Sequence, residues 1–108
     1  MPKNRPRPII VYVTTPRISE ARRIAKALLK KNLIACANIL PSPSLYRWKG
    51  QIVSAKESIL LMKTTAEKFR EIEKNVEKMH TYECPCVLQI SIDRGNAAYL
   101  TWIRETVH

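Results

Sequence analysis

Apolar residues in this chain switch between strand-like and helix-like spacing in a fixed order, and that order leaves few folds open. Ile9 to Val13 is a continuous β-branched and aromatic run, ended by Thr14, Thr15 and Pro16, as expected of a covered strand. Ala21, Ile24, Ala25 and Leu28 then fall on one helical stripe, with Ser19 as the expected N-cap and Asn32 as the expected stop. Ile34 to Leu40 returns to strand. Pro41 and Pro43 have no N–H to donate, so they are expected to interrupt the ladder at a bulge, a bend or a sheet edge. Leu45 to Trp48 resumes it, Lys49-Gly50 turns the chain, and Ile52 to Lys63 runs back as a long third strand. The pair makes one long hairpin whose tip carries Tyr46 and Trp48.

Thr64 followed by Glu67 reads as a capping box, and Phe69, Ile72, Val76 and Met79 form the stripe of a second helix closed by His80. The segment from His80 to Cys86 is irregular. Leu88, Ile90 and Ile92 alternate with polar residues as in a half-buried strand, and Gly95-Asn96 leads into a last helix bearing Tyr99, Leu100, Trp102, Ile103 and Val107. The order β-α-β-β-α-β plus a terminal helix predicts an α+β, ferredoxin-like sandwich, with the helices on one face of an antiparallel sheet. A length of 108 residues makes this one domain, 9–108, preceded by a flexible basic arm, Met1 to Pro8.

Composition narrows the function classes. No apolar run is long enough to span a bilayer, and no apolar signal core follows the basic start, so a cytoplasmic protein is expected. Three cysteines, an odd number, fit a reducing compartment better than a disulfide scaffold. Nineteen Lys and Arg against nine acids give a formal charge of +10, which suits either solvated helix faces or an anionic partner. An RNA-recognition module needs aromatics on its third strand, and Ile52 to Leu60 has none, so nucleic acid is not the expected partner. Only Gly50 and Gly95 are glycines, so no phosphate-cradling loop or nucleophile elbow can be built.

His80, Cys84 and Cys86 lie within seven residues and could supply an imidazole and two thiolates to copper or zinc. The alternative is that the two cysteines are small buried groups flanking Pro85. The aromatic hairpin likewise has two readings: it pairs with another chain, or it folds back on its own sheet.

Several motifs occur together in order: Val13-Thr14-Thr15-Pro16, Leu33 to Ile39, Ser44-Leu45-Tyr46-Arg47-Trp48-Lys49-Gly50, Lys63-Thr64, His80-x-Tyr82-Glu83, and Gly95-Asn96-x-x-Tyr99-Leu100-x-Trp102. Through them the chain, from Ile9 to Val107, resembles the CutA family of divalent-cation tolerance proteins. The resemblance implies a tight homotrimer with hairpins packed between neighbours, similar in architecture to PII signalling trimers. It also implies links to copper or other divalent metals, no organic cofactor, no established reaction, and a protein partner in some relatives. It places Tyr46, Trp48, Lys63, His80, Tyr82, Glu83 and Trp102 along a cleft between subunits, with His80 as the metal-ligand candidate. Thr81 stands where the family has proline, which is expected to loosen the loop. Cys86 replaces a glutamate, Val13 replaces a cysteine found in some bacterial relatives, and Ser42-Pro43 replaces a glycine-containing turn. Two other readings differ in class: a scaffold presenting basic helices to anionic partners, and an enzyme using Lys63, His80, Tyr82 and Glu83 as acid–base groups.

Overall fold

The structure, a computed structural model, describes residues 5–108. Its elements are β1 (Pro8–Thr15), α1 (Ile18–Lys30), β2 (Cys36–Trp48), β3 (Gln51–Thr65), a single 3-10 turn at Ala66–Lys68, α2 (Phe69–Met79), β4 (Val87–Ser91) and α3 (Ala97–Thr106). The four strands form one antiparallel sheet in the order β2-β3-β1-β4. This is the predicted ferredoxin-like order.

The period-two pattern of the strands sorts their side chains onto two faces. Ile9, Val11 and Val13 of β1, with Leu60 and Met62 of β3, are fully buried against Ile24 and Leu28 of α1 and Ile72 and Val76 of α2. Burying each such side chain is worth about 1.5–3 kcal/mol. The opposite face has no helical layer along most of its length. There Ile10 pairs with Lys63 and Ile90, Tyr12 with Leu61 and Leu88, and Thr14 with Ile59. Leu88 and Ile90 remain 54% and 45% exposed, so β4 is not half-buried as its alternation predicted. At one end α3 packs Ile103 and Val107 against Ala35.

Four sequence expectations move. The prolines do not interrupt the ladder, since pairing runs on through Pro41↔Ser58 and Pro43↔Lys56, but of the bulge, bend or edge expected there, the edge is what they mark. Because β2 is an edge strand and the prolines are two apart, their missing N–H groups fall on the free edge. Helix α1 is capped at Arg17, without a side-chain bond, and Ser19 lies inside it. Thr64 caps nothing, because its hydroxyl donates to the Leu33 carbonyl at 2.6 Å and the strand continues to Thr65. Of the expected arm, residues 1–4 lie outside the described residues. Pro6 and Arg7 accept hydrogen bonds from Arg104 Nε and the Ala66 amide, and Pro8 opens β1. Asn32 does stop α1, in the left-handed conformation with φ 60°.

The hairpin is not folded back. β1 reaches only Ser58 on β3, so Gln51 to Glu57 pairs with β2 alone. Those seven residues project about 23 Å at roughly 3.3 Å per residue, and the molecule measures 50 × 26 × 21 Å.

Candidate functional site

Where the hairpin leaves the body, the loop between α2 and β4 folds against it. His80 ends α2 in an extended conformation and turns its ring inward, with no exposed side-chain surface. Its Nδ1 lies 3.1 Å from the Tyr82 amide, which can only donate, so Nδ1 accepts. Its Nε2 therefore carries the proton and donates to the Thr14 carbonyl at 2.7 Å. Nε2 is committed to the backbone, and Nδ1 faces the Tyr82 amide with the buried Glu20 carboxylate 3.4 Å away, so neither is turned to an open metal site.

Glu20 is the partner that sequence reading missed. It is buried on α1, and its carboxylate accepts from the Thr81 amide at 3.0 Å and the Thr81 hydroxyl at 2.9 Å. Proline at position 81 could make neither bond. Thr81 thus ties the loop to α1, the reverse of the expected loosening. Tyr82 stacks at 4.8 Å on His80 and donates its hydroxyl to Glu57 at 2.5 Å. Burial, then the Glu57 carboxylate, raise the Tyr82 pKa, so the phenol stays protonated.

An open cleft of about 580 Å³ results, lined by Tyr12, Tyr46, Trp48 and Tyr82, by Glu57 and Glu83, and by Cys84 and Cys86. The hairpin supplies Tyr46, Trp48 and Glu57, and the loop supplies the rest apart from Tyr12. Glu57, only 8% exposed, was read merely as part of a strand; its place on the same face as Ile59 and Leu61 was the available signal. Cys84 is exposed, and burial followed by the charge of Glu57 pushes the Cys86 thiol up, away from the thiolate a soft metal requires. Val13 faces the core.

The structure does not assemble His80, Cys84 and Cys86 as a ligand set. Among the described residues no three His, Cys, Asp or Glu side chains are placed to hold a metal ion. A metal centre therefore does not fit within one protomer.

Within the protomer, Lys63 and Trp102, expected along the cleft between subunits, lie apart from these residues. Lys63 donates to Asn38 at 2.8 Å and sits 5.6 Å from the Tyr99 ring, which packs on Trp102 at 5.3 Å. Burial works against the Lys63 charge, but the neighbouring Cys36 and Tyr99 outweigh it and raise its pKa. Lys63 lies six positions along β3 from Glu57, about 20 Å along the strand. The described protomer therefore does not bring Lys63 together with Tyr82 and Glu83 as an acid–base set.

Fold and cleft together define a small α+β sandwich with a ligand-sized cleft beside an open sheet face. The chain matches the family described as "CutA1 divalent ion tolerance protein" over residues 9–106. It is 47% identical over 97 residues to the divalent-cation tolerance protein CutA of Archaeoglobus fulgidus, covering 90% of this chain and 95% of that one. The solved structure of that protein, there called periplasmic, superposes with a TM-score of 0.91, covering 94% and 99% of the two chains. The divalent cation tolerance protein of Thermus thermophilus gives 0.90 at 40% identity, with the same coverage. The chain belongs to the CutA1 divalent ion tolerance family.

Proposed function

We propose that this protein serves divalent-cation tolerance as a non-catalytic homotrimer whose ligand cleft is completed where protomers meet. The observation that supports this most is the split of the family-matching side chains. Tyr46, Trp48, Tyr82 and Glu83 stand at one end of the open sheet face, and Lys63 and Trp102 at the other. Between them lie Leu88 and Ile90, more exposed than a monomer's sheet face should be. A symmetric assembly covers that face and sets one protomer's hairpin end near another's α3 end. Copper or another divalent ion would find Glu83 and Cys84 exposed and would need donors from a neighbouring protomer. Three thiols without a disulfide suit a cytoplasmic setting.

Crosslinking tests the shared cleft. In a Trp102→Cys variant, a short bismaleimide should join that residue to Cys84 of a neighbour and give covalent dimers and trimers on a denaturing gel. Monomers alone would contradict it. A second reading is favoured by the exposed Arg22, Arg23, Lys26 and Lys30 of α1, which make a basic outer face for an anionic protein or signalling partner. Such binding would weaken steeply with salt.

A further inference from the structure

On the helical side of the sheet, the excess charge of this chain is gathered on one helix. The 3-10 turn and α2 together carry four cations and four acids and balance. Helix α1 carries Arg22, Arg23, Lys26 and Lys30 against one acid, Glu20, which is buried and held by Thr81. Arg22, Lys26 and Lys30 follow one another every four residues, a row of about 12 Å along one face at about 1.5 Å per residue. All three are exposed, and among the described residues neither they nor Arg23 form an ion pair. Arg23 lies beside the row and donates to the Met79 carbonyl at 3.0 Å. Like charges at this spacing repel and weaken the helix that carries them, and an anion laid along the row removes that repulsion.

The surroundings select the kind of anion. The exposed aliphatic residues of α1, Ile18 and Leu29, flank the row at the edge away from Arg23, so the middle of the face offers charge without apolar surface. No exposed aromatic ring stands on α1 or α2 for a base to stack on. A protein partner is held chiefly by buried aromatic and apolar anchors, and a single nucleic-acid strand by stacking as well as by its phosphates. A polymer of phosphates alone uses only what this face has. The face also stays outside the assembly. Helix α1 lies across the sheet from the open face that the proposed trimer buries, so its three copies turn outward in different directions about the threefold axis. A flat lipid surface meets one copy at a time, whereas a flexible chain reaches from one copy to the next.

We propose that the outer face of α1 binds linear inorganic polyphosphate, its phosphates laid along Arg22, Lys26 and Lys30. This rests on the reading of α1 as a basic docking face and names the chemistry of the partner. Arg22 takes phosphate oxygens through its guanidinium fork, and the two lysines meet the chain as point charges.

Direct titrations of the intact protein at fixed ionic strength test it. The probes are polyphosphate, polyuridylate and poly-L-glutamate of matched charge, end-labelled and read by fluorescence polarisation, and phosphatidylserine vesicles read by co-sedimentation. Polyphosphate should bind at least about tenfold more tightly than either other polymer. Lys26→Glu combined with Lys30→Glu should weaken its binding at least about tenfold, and the milder Lys26→Gln with Lys30→Gln about threefold. Lys74→Glu combined with Lys78→Glu makes the same change of charge at exposed positions of α2 and should weaken it less than about threefold. Equal losses from the α1 and α2 variants assign the binding to net charge and overturn the proposal, as does undiminished binding in the α1 variants. Polyuridylate binding as tightly as polyphosphate also overturns it. Polyglutamate or vesicles binding more tightly than polyphosphate overturns it and leaves the basic face standing with another partner. No binding of any probe overturns both.

Discussion

His80 holds the site together through two backbone bonds. Replacing it with alanine leaves the Thr14 carbonyl and the Tyr82 amide without partners, and should cost about 2–4 kcal/mol in urea unfolding. On the same account Cu(II) affinity should not change in His80→Ala, because neither nitrogen is available in the folded state. A large loss of copper binding would contradict the assignment. Tyr82 gives a pH prediction. Its folded pKa is raised, so its contribution is complete below the unfolded value near 10 and is lost as pH rises beyond it. Thermal melts should show an alkaline loss of stability that Tyr82→Phe reduces. At this scale the sequence was least informative. Glu20 sits among charged neighbours on a helix, and only its distant partners Thr81 and His80 distinguish it from a solvated acid.

Secondary structure was legible where one local force decides it. The stripes of α1 and α2 and the turn at Lys49-Gly50 stand where the spacing put them. The misplaced boundaries share a cause: a side chain or proline read locally was used by a distant strand. Thr64 serves Leu33, and Pro41 and Pro43 are tolerated only because nothing pairs on their outer side. The cleft was half legible. Its aromatic and loop residues were named from motifs, whereas Glu57 emerged only from its burial and its bond from Tyr82 across the loop. The hairpin turn offers a clean test of conformational cost. Gly50 has φ +78° with nothing near an added Cβ, so Gly50→Ala should lose about 1 kcal/mol in urea unfolding, through backbone strain alone. A neutral result would mean that the turn relaxes.

For the molecule as a whole, one sheet face and a projecting hairpin lack a layer to pack against. Charge keeps the helical side soluble, while Leu40, Leu88 and Ile90 on the open face have no such protection. In the proposed trimer, burying that face between copies would account for these exposures and join the two separated groups of motif residues. Leu88→Lys combined with Ile90→Lys should dissociate the assembly yet leave the helical side of the core folded, as judged by circular dichroism. Sedimentation equilibrium of the wild-type protein at micromolar concentration is the most direct test. The account predicts a single species of three protomer masses, and a stable species of one protomer mass would contradict it.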